Sequence, residues 1–395
     1  MDGPLFPTAR DAPPAARVAR IAGVLADHVD ALERDRRMPA TMLDALHQER
    51  LYRMLLPEPY GGEEAAPLDF MAAIEGLARV DASGAWCVCQ ANGCAMTAAY
   101  LPPEAATEIW GEDPRAVVAW GPGPTKAVEV DGGYSLDAKL MFASGGRQAT
   151  WLGAHSKVTS KSGEVLLEPN GEPQVRTFLF PADTVDMQDI WDVIGLRGTA
   201  SDAYEFKDRF VPTRHSTLRD DQDGHFYEAP LYHYPAMTLF ACGFGSVALG
   251  IAQGFLADFL AFAQGKVPRL AKSSVADSPV AQGEAALAAA RIAAGRAYLR
   301  QEAGEVWEET KANGELSVAG RARIRLAATF AIHEAKTAVD LLYDLAGADA
   351  IFQEKPFERR FRDIHTVTQQ LQGRKTHFTS VGAWMMGRDP DLSVM

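Results

Sequence analysis

The stretch RFRDIHTVTQQLQGRKTHF, Arg360 to Phe378, decides how the last third of this chain is interpreted. Ile364, Val367 and Leu371 recur at helical spacing and form an apolar stripe. The polar stripe beside it consists of His365, Gln369, Gln372 and Thr376. The pattern predicts an amphipathic helix, extended by its flanks to residues 357–387. After Asp363 the stretch contains imidazoles and amides but no carboxylate.

Three more long helical patterns precede this one, over 237–265, 278–311 and 318–346. Turn-forming segments separate them at residues 265–277, at Asn313-Gly314 and at residues 347–356. Long amphipathic segments joined by short connections are typical of a helical bundle. The sequence therefore predicts a C-terminal four-helix bundle over residues 233–395.

The first two thirds of the chain divide into a helical part and a part with strand patterns. Residues 1–115 show helical periodicity, whereas 116–232 show short alternating runs bounded by turn signals. The fold predicted is mainly α with a central β domain. The three domains are an N-terminal helical domain (1–115), a β domain (116–232) and the bundle (233–395). The strand spacing indicates an antiparallel barrel or sandwich.

Composition excludes several classes of function. The 395 residues carry a net charge of -13, and no basic run is present, so neither nucleic acid nor an anionic membrane is an expected partner. The start MDGPLFPTARDAPPAARVAR lacks the apolar core of a signal peptide. The most apolar segment, from Leu239, is interrupted by glycines and is interpreted as a buried bundle helix. A cytoplasmic location is predicted.

Metal and dinucleotide motifs are also missing from the sequence. Cys87, Cys89 and Cys94 are close together, but no second paired motif completes a zinc site, so no metal is predicted. They are interpreted as small buried residues of a reduced protein. No G-x-G-x-x-G motif follows a predicted strand, which argues against a Rossmann domain.

Three motifs in sequence order resemble the acyl-CoA dehydrogenase superfamily. They are DGGYSLDAKLMFASGGRQATWL (131–152), GLRGTASDAYEFKDRFVP (195–212) and GADAIFQEKPFERRFRDIHT (347–366). With the order helical, β, bundle, the resemblance covers nearly the whole chain. It implies an acyl-CoA dehydrogenase-like fold and a flavin cofactor.

The resemblance does not extend to the base that dehydrogenation needs. Many relatives carry a glutamate after the Arg-Asp pair, here Arg362-Asp363, and others carry it in the first bundle helix. Gln369 to Gln372 contain none, and neither Asp nor Glu occurs between Glu228 and Asp258. Because a general base must reach the proton it removes, thioester dehydrogenation is disfavoured.

The segment MFASGGRQATW resembles the two-component, group D flavin monooxygenases of the same superfamily. That branch includes hydroxylases of aromatics and of indole-3-acetate, and dibenzothiophene monooxygenase. The resemblance implies that Ser144 approaches flavin N5, that His365 faces C4a, and that both are catalytic. It also implies reduced FMN or FADH2 and O2, reacting through a C4a-hydroperoxyflavin. A separate NAD(P)H:flavin reductase would supply the reduced flavin.

The resemblance also suggests residues that hold the flavin and the substrate. The proposed cofactor contacts are Trp120, Gly121, Pro122, Phe142, Ser144, Arg197, Arg269 and Gln282. The proposed substrate contacts are Trp86, Asn92, Tyr234 and Gln369. The expected substrate is a small aromatic of the phenol or indole type, and the wording RDIHTVTQQ resembles the indole-3-acetate subgroup.

Two alternatives remain open at the level of sequence. One is an acyl-CoA dehydrogenase-like flavin oxidase whose base is not recognised. The other is a non-catalytic, flavin-binding oligomer. In proteins of this fold the faces of the bundle usually pair subunits, so a homotetramer is the expected assembly, with a dimer as the second possibility.

Overall fold

The computed structural model describes residues 12–169, 171–218 and 224–388. Residues 1–11, with which the argument against a signal peptide begins, therefore lie outside the described part. The N-terminal helices are α1 Pro14–Ala26, α2 Val29–Asp35, α3 Ala40–Gln48, α4 Pro67–Val80, α5 Ala82–Ala95 and α6 Pro103–Ala106. The break between α4 and α5 lies at Asp81, whose carboxylate accepts a hydrogen bond from Gly84 N at 2.5 Å and caps α5.

A mixed sheet follows the N-terminal helices. Its strands are β1 Val118–Trp120, β2 Thr125–Val130, β3 Gly133–Ala143, β4 Trp151–Thr159, β5 Val175–Pro181, β6 Met187–Gln188, β7 Asp202–Pro212 and β8 Ser216–Leu218. The order is β6-β7-β3-β2-β4-β5-β8, with β1 also paired to β4. Most strand pairs are antiparallel, as predicted, but β1 and β2 each run parallel to β4, which the sequence did not predict. Such a pairing joins strands distant in sequence, which local patterns do not reveal.

The bundle helices are α7 Ala236–Gly265, α8 Pro279–Asn313, α9 Val318–Ala346, α10 Pro356–Val367 and α11 Thr376–Met385. The first three confirm the predicted segments. α7 is long and apolar enough to cross a membrane, but it is mostly buried inside the protein, as expected for a core helix. It packs so closely on α4 that a Cβ at Gly250 would lie 2.4 Å from Glu75 O.

The predicted helix over 357–387 is broken. Gln370 is extended, and its side chain accepts a hydrogen bond from Gln372 N at 2.6 Å. Gly373 lies so close to Thr368 that a Cβ there would be 2.9 Å from its Cα. The polar stripe predicted from the sequence is therefore not formed: Gln372 is buried, whereas Thr376 is exposed.

Helix α10 connects the segment before β7 to the bundle through hydrogen bonds. Asp363 accepts a hydrogen bond from Leu196 N at 2.6 Å, and Arg362 donates to Ile194 O. A Cβ at Gly195 would lie 2.3 Å from Arg362 O, so only glycine permits this approach. The segment before β7 is thereby held beside the end of β3.

Candidate active site

A row of buried hydroxyl groups lies where β3 ends and β7 begins. Ser144 Oγ lies 2.7 Å from Ser201 Oγ, which lies 2.7 Å from Thr199 Oγ1. The indole Nε1 of Trp86, on α5, donates to Ser144 Oγ at 3.0 Å. At the other end Thr199 Oγ1 donates to Leu196 O at 2.8 Å. The structure thus brings the predicted residues Ser144 and Trp86 into direct contact, together with Ser201.

The predicted flavin turn lies against the end of β3. Met141 N donates to Pro122 O at 3.0 Å. A Cβ at Gly121 would lie 1.8 Å from Met141 O, so the turn requires glycine there. Trp120, Gly121 and Pro122 therefore lie against the end of β3, beside Met141 and Phe142.

Phe142 has an unusual backbone conformation. Its φ is 62°, at a bulge where the register of β3 with β7 shifts between Leu140 and Ala143. A non-glycine residue in the left-handed region is strained, and such strain concentrates at functional sites. The side chain is 53% exposed and meets Trp191 edge to face at 5.8 Å. The bulge therefore presents an apolar ring at the surface beside the hydroxyl row.

An aromatic run leads from Ser144 into the bundle. The rings of Trp86 and Phe244 lie 4.0 Å apart, and Phe244 and Phe240 stack at 5.8 Å. Phe240 and Trp120 line a cavity of about 50 Å³ between the sheet, the start of α7 and the turn that follows α5. Its other lining residues are Met96, Thr97, Tyr100, His155, Thr177, Thr217, Leu218, Tyr234 and Ala236. None of these described lining residues is a carboxylate.

His155 was missed by the sequence reasoning. It lies on β4, its Nδ1 is 2.9 Å from Thr177 Oγ1, and its ring meets the edge of Trp120 at 4.9 Å. His155 therefore places an imidazole in the wall of the cavity. A histidine in the strand pattern WLGAHSKVT was the available signal, but one strand alone does not show what faces it.

His365, the other predicted catalytic residue, belongs to a different network. Its Nε2 lies 2.9 Å from Asp340 Oδ1 on α9, and its ring lies 4.4 Å from Phe361. Asp363, two residues earlier, faces Leu196 near the hydroxyl row, and two helical residues are separated by about 200°. No hydrogen bond between His365 and Ser144 occurs in the described part of the chain.

Two predicted substrate contacts occupy other environments. Asn92 is fully buried, and its amide bonds Leu55 N, Leu51 O and Val88 O at 3.0, 2.7 and 2.8 Å. Backbone groups thus use both amide hydrogens and one of the two lone pairs of Oδ1, so Asn92 holds α5 in place inside the protein, and its contact with a substrate stays a prediction. Gln369 is exposed and bonds the neighbouring Thr368.

Three of the predicted cofactor contacts lie far apart from the others or in other environments. Arg197 donates to Val193 O at 2.8 Å and forms an ion pair with Glu33 at 3.6 Å. Arg269 and Gln282 are exposed in and after the connection from α7 to α8. The end of α7 lies about 30 Å along the helix from Phe244. One subunit therefore does not bring Arg269 and Gln282 beside Ser144.

Two buried ionisable residues were also missed. Arg325 on α9 is 1% exposed, donates to Gln372 Oε1, and burial lowers its pKa to about 10. Its position on the stripe with Ala328 and Ile332 was a signal, because arginine is rare on an apolar stripe. Burial raises the pKa of Asp363 to about 7, although its hydrogen bond from Leu196 favours the charged form.

The arrangement fits a flat, partly polar ring system such as a flavin. Phe142, two residues before Ser144, exposes 53% of its surface, and Ile190 and Ile194, in the segment before β7, expose 42 and 70%. Ser144 supplies a buried polar group close to Phe142, and the turn at Gly121 admits close approach to the backbone. Pockets for small cofactors combine these elements, mostly apolar walls with a few convergent polar groups.

Comparisons with known proteins identify the family of this chain. The N-terminal and C-terminal domain families of acyl-CoA dehydrogenase match residues 17–108 and 242–372. Indole-3-acetate monooxygenase of Pseudomonas putida is 28% identical over 359 residues, 91% of this chain and 90% of that protein. The enzyme of the same name from Acinetobacter baumannii is 30% identical, covering 83% of this chain and 82% of that protein.

A solved structure shows the same fold. The crystal structure of the HsaA monooxygenase from M. tuberculosis superposes with a TM-score of 0.86 at 26% identity, covering 97% of this chain and 99% of that one. The two family models match the helical regions on either side of the sheet. The matches to the monooxygenases cover 83 to 91% of the chain and therefore also include the sheet with Ser144. The chain therefore belongs to the acyl-CoA dehydrogenase superfamily and, within it, to the flavin-dependent monooxygenases, which use reduced flavin and O2.

Proposed function

We propose that this monooxygenase hydroxylates a small aromatic acid of the indole-3-acetate type, with Ser144 in contact with the flavin. The observation that carries the proposal is the hydrogen bond between Ser144 and Trp86. It connects the row of hydroxyl groups to the aromatic side chains of Trp86, Phe244 and Phe240, none of which is a carboxylate. An aromatic wall suits an aromatic substrate. The indole-3-acetate monooxygenases that resemble the chain support this choice.

The flavin ring would be held by Phe142 and by the turn of Trp120, Gly121 and Pro122. Reduced flavin, when bound, supplies the electrons that activate O2. Ser144 would hold the ring by its N5 edge, while Trp86 and Phe244 would keep water from that edge. Oxygen chemistry that is shielded in this way yields less hydrogen peroxide and more hydroxylated product.

The substrate would enter along Phe240. The cavity of about 50 Å³ is smaller than the roughly 150 Å³ that holds benzene in a protein interior. Rotation of the Phe240 side chain would join the cavity to the space beside Trp86. His155 and Thr177 would then meet a polar group of the substrate, such as its carboxylate.

The assembly and its partner complete the proposal. As an oxygenase component the protein works with a separate flavin reductase, which we propose uses NAD(P)H. We propose a cytoplasmic homotetramer in which Arg269 and Gln282 reach the flavin phosphate of a neighbouring subunit. This would explain why both follow the end of α7, which lies about 30 Å along the helix from Phe244. Sedimentation velocity would test the tetramer, and a monomer at assay concentration would contradict it.

The experiment that tests the function supplies the enzyme with FMN or FAD, an NAD(P)H:flavin reductase, and a panel of indole-3-acetate, indole and phenols. Product and hydrogen peroxide are measured per O2 consumed. Wild type should hydroxylate indole-3-acetate, and Ser144→Ala should shift O2 consumption toward peroxide. The exposed Ser162 provides a matched control, Ser162→Ala, which should behave as wild type.

Three results would each contradict part of the proposal. Reduction of bound oxidised flavin by an acyl-CoA thioester under anaerobic conditions would support the oxidase alternative instead. Equal peroxide yields in wild type and Ser144→Ala would remove Ser144 from the flavin site. Because indole-3-acetate and phenols are tested together, hydroxylation of phenols alone would reassign the substrate class.

A further inference from the structure

The hydroxyl row has only one consistent arrangement of hydrogens. Thr199 Oγ1 lies 2.8 Å from Leu196 O, and a carbonyl only accepts, so the single hydroxyl hydrogen of Thr199 lies between them. Ser201 must then donate to Thr199 across 2.7 Å, and Ser144 must donate to Ser201 across 2.7 Å. The reverse order would leave Thr199 and Leu196 as two oxygens at 2.8 Å with no hydrogen between them.

The same argument determines which further hydrogen bond Ser144 can form. Its hydrogen is used by Ser201, and the indole Nε1 of Trp86, which can only donate, occupies one of its two lone pairs. One lone pair remains. Ser144 can therefore accept one further hydrogen bond and cannot donate one.

We propose that Thr199 and Ser201 are positioning residues that make Ser144 an acceptor, and that the site thereby selects reduced over oxidised flavin. Reduced flavin carries a hydrogen on N5, whereas oxidised flavin presents a lone pair there. The Ser144 acceptor matches the first and repels the second. The inference rests on the proposed flavin site, and it adds the direction of the hydrogen bond and the residues that set it.

The burial of the hydroxyl row stabilises this direction of its hydrogen bonds. Ser144, Ser201 and Thr199 are 7, 2 and 1% exposed, so water does not readily replace a partner. A buried hydroxyl that loses its acceptor is costly, which opposes reversal of the row. Ser144 contacts the flavin in this proposal, while Ser201 and Thr199 act only through it.

The test measures the dissociation constants of reduced and oxidised FMN and FAD anaerobically, by titration calorimetry. Wild type should bind the reduced form more tightly. Ser201→Ala and Thr199→Val each free the Ser144 hydrogen to turn toward the flavin. The ratio of oxidised to reduced dissociation constants should then fall about fivefold to tenfold, the effect of one hydrogen bond. Ser201→Thr, which keeps a hydroxyl, should retain the wild-type ratio.

A matched control is Ser246→Ala on α7, a buried serine whose hydroxyl donates to Cys242 O outside the row. It should leave the ratio unchanged. An unchanged ratio in both Ser201→Ala and Thr199→Val, with Ser144→Ala still weakening flavin binding, would overturn the inference and leave the flavin site standing. Unchanged binding of both flavin forms in Ser144→Ala would overturn the flavin site and the inference together.

Discussion

His365 Nε2 lies 2.9 Å from Asp340 Oδ1, and this pair joins α10 to α9 on the side of α10 away from Leu196. Both side chains are about one-third exposed, at 31 and 35%. Asp340 also pairs with Lys336 on its own helix. The pair therefore belongs to the surface of the bundle, and its role is expected to be structural.

Replacing His365 with alanine tests that expectation. A partly exposed pair contributes little, so the free energy of unfolding should fall by less than about 1 kcal/mol. Product formed per O2 should stay near the wild-type value. Asp340→Ala is the partner variant and should lose slightly more stability, because it also removes the pair with Lys336, while product per O2 should again stay near the wild-type value. If a folded His365→Ala protein had lost hydroxylation, the imidazole would take part in the reaction after all.

Two substitutions of the strained Phe142 should have the same effect on flavin binding but different effects on stability. Phe142→Ala and Phe142→Gly both remove the ring and should both weaken flavin binding. With φ at 62°, alanine keeps the strain and glycine releases it, so the glycine variant should be more stable by about 1 kcal/mol. Urea unfolding of the two apoproteins measures the difference. A less stable glycine variant would show that the bulge is not strained.

The buried pair of Arg325 and Gln372 should show strong coupling. Gln372→Leu leaves a buried guanidinium without its main acceptor and should cost about 3 kcal/mol or more. In Arg325→Met with Gln372→Leu both polar groups are gone, and much of that loss should be recovered. Urea unfolding of the single and double variants measures the coupling. Strictly additive losses would show that the two side chains do not depend on each other.

Asp363 should make stability depend on pH. Its pKa is raised from 3.8 to about 7 by burial, with nearby Asp81 and Glu33 acting in the same direction. Between pH 4 and 7 the folded state keeps a proton that the unfolded chain has lost. The free energy of unfolding therefore falls as the pH rises through this window.

Asp363→Asn tests this dependence, because an asparagine oxygen can still accept from Leu196 N and carries no charge. The variant should lose less stability than wild type between pH 4 and 7. Asp344→Asn, at an exposed position of α9, is the surface control and should follow wild type. Parallel stability curves for wild type and Asp363→Asn would contradict the raised pKa.

The sequence predicted the order of the elements because each long helix carries its own periodicity and its own breaks. It did not predict the break after Val367, because that break depends on Gln370 bonding Gln372 N and on the close approach of Gly373 to Thr368. Local periodicity continues through the break, so no pattern marks it.

The site could be predicted only where local sequence is informative. Ser144 is recognisable from its turn before two glycines. Its partners Trp86 and Ser201 are 58 and 57 residues away along the chain, and no spacing reveals that they meet. His365 was assigned a catalytic role from its place after Arg362-Asp363, but which face of α10 meets the hydroxyl row is decided by the contacts of Asp363 and Gly195.

The most direct test of the account is isotopic. The enzyme is supplied with reductase, flavin, NAD(P)H and indole-3-acetate under ¹⁸O₂, and the product is analysed by mass spectrometry. The account predicts a hydroxylated product with one ¹⁸O atom, and no label when the label is in the water instead. A product that takes its oxygen from water, or O2 consumption that yields only peroxide with every aromatic tested, would contradict it.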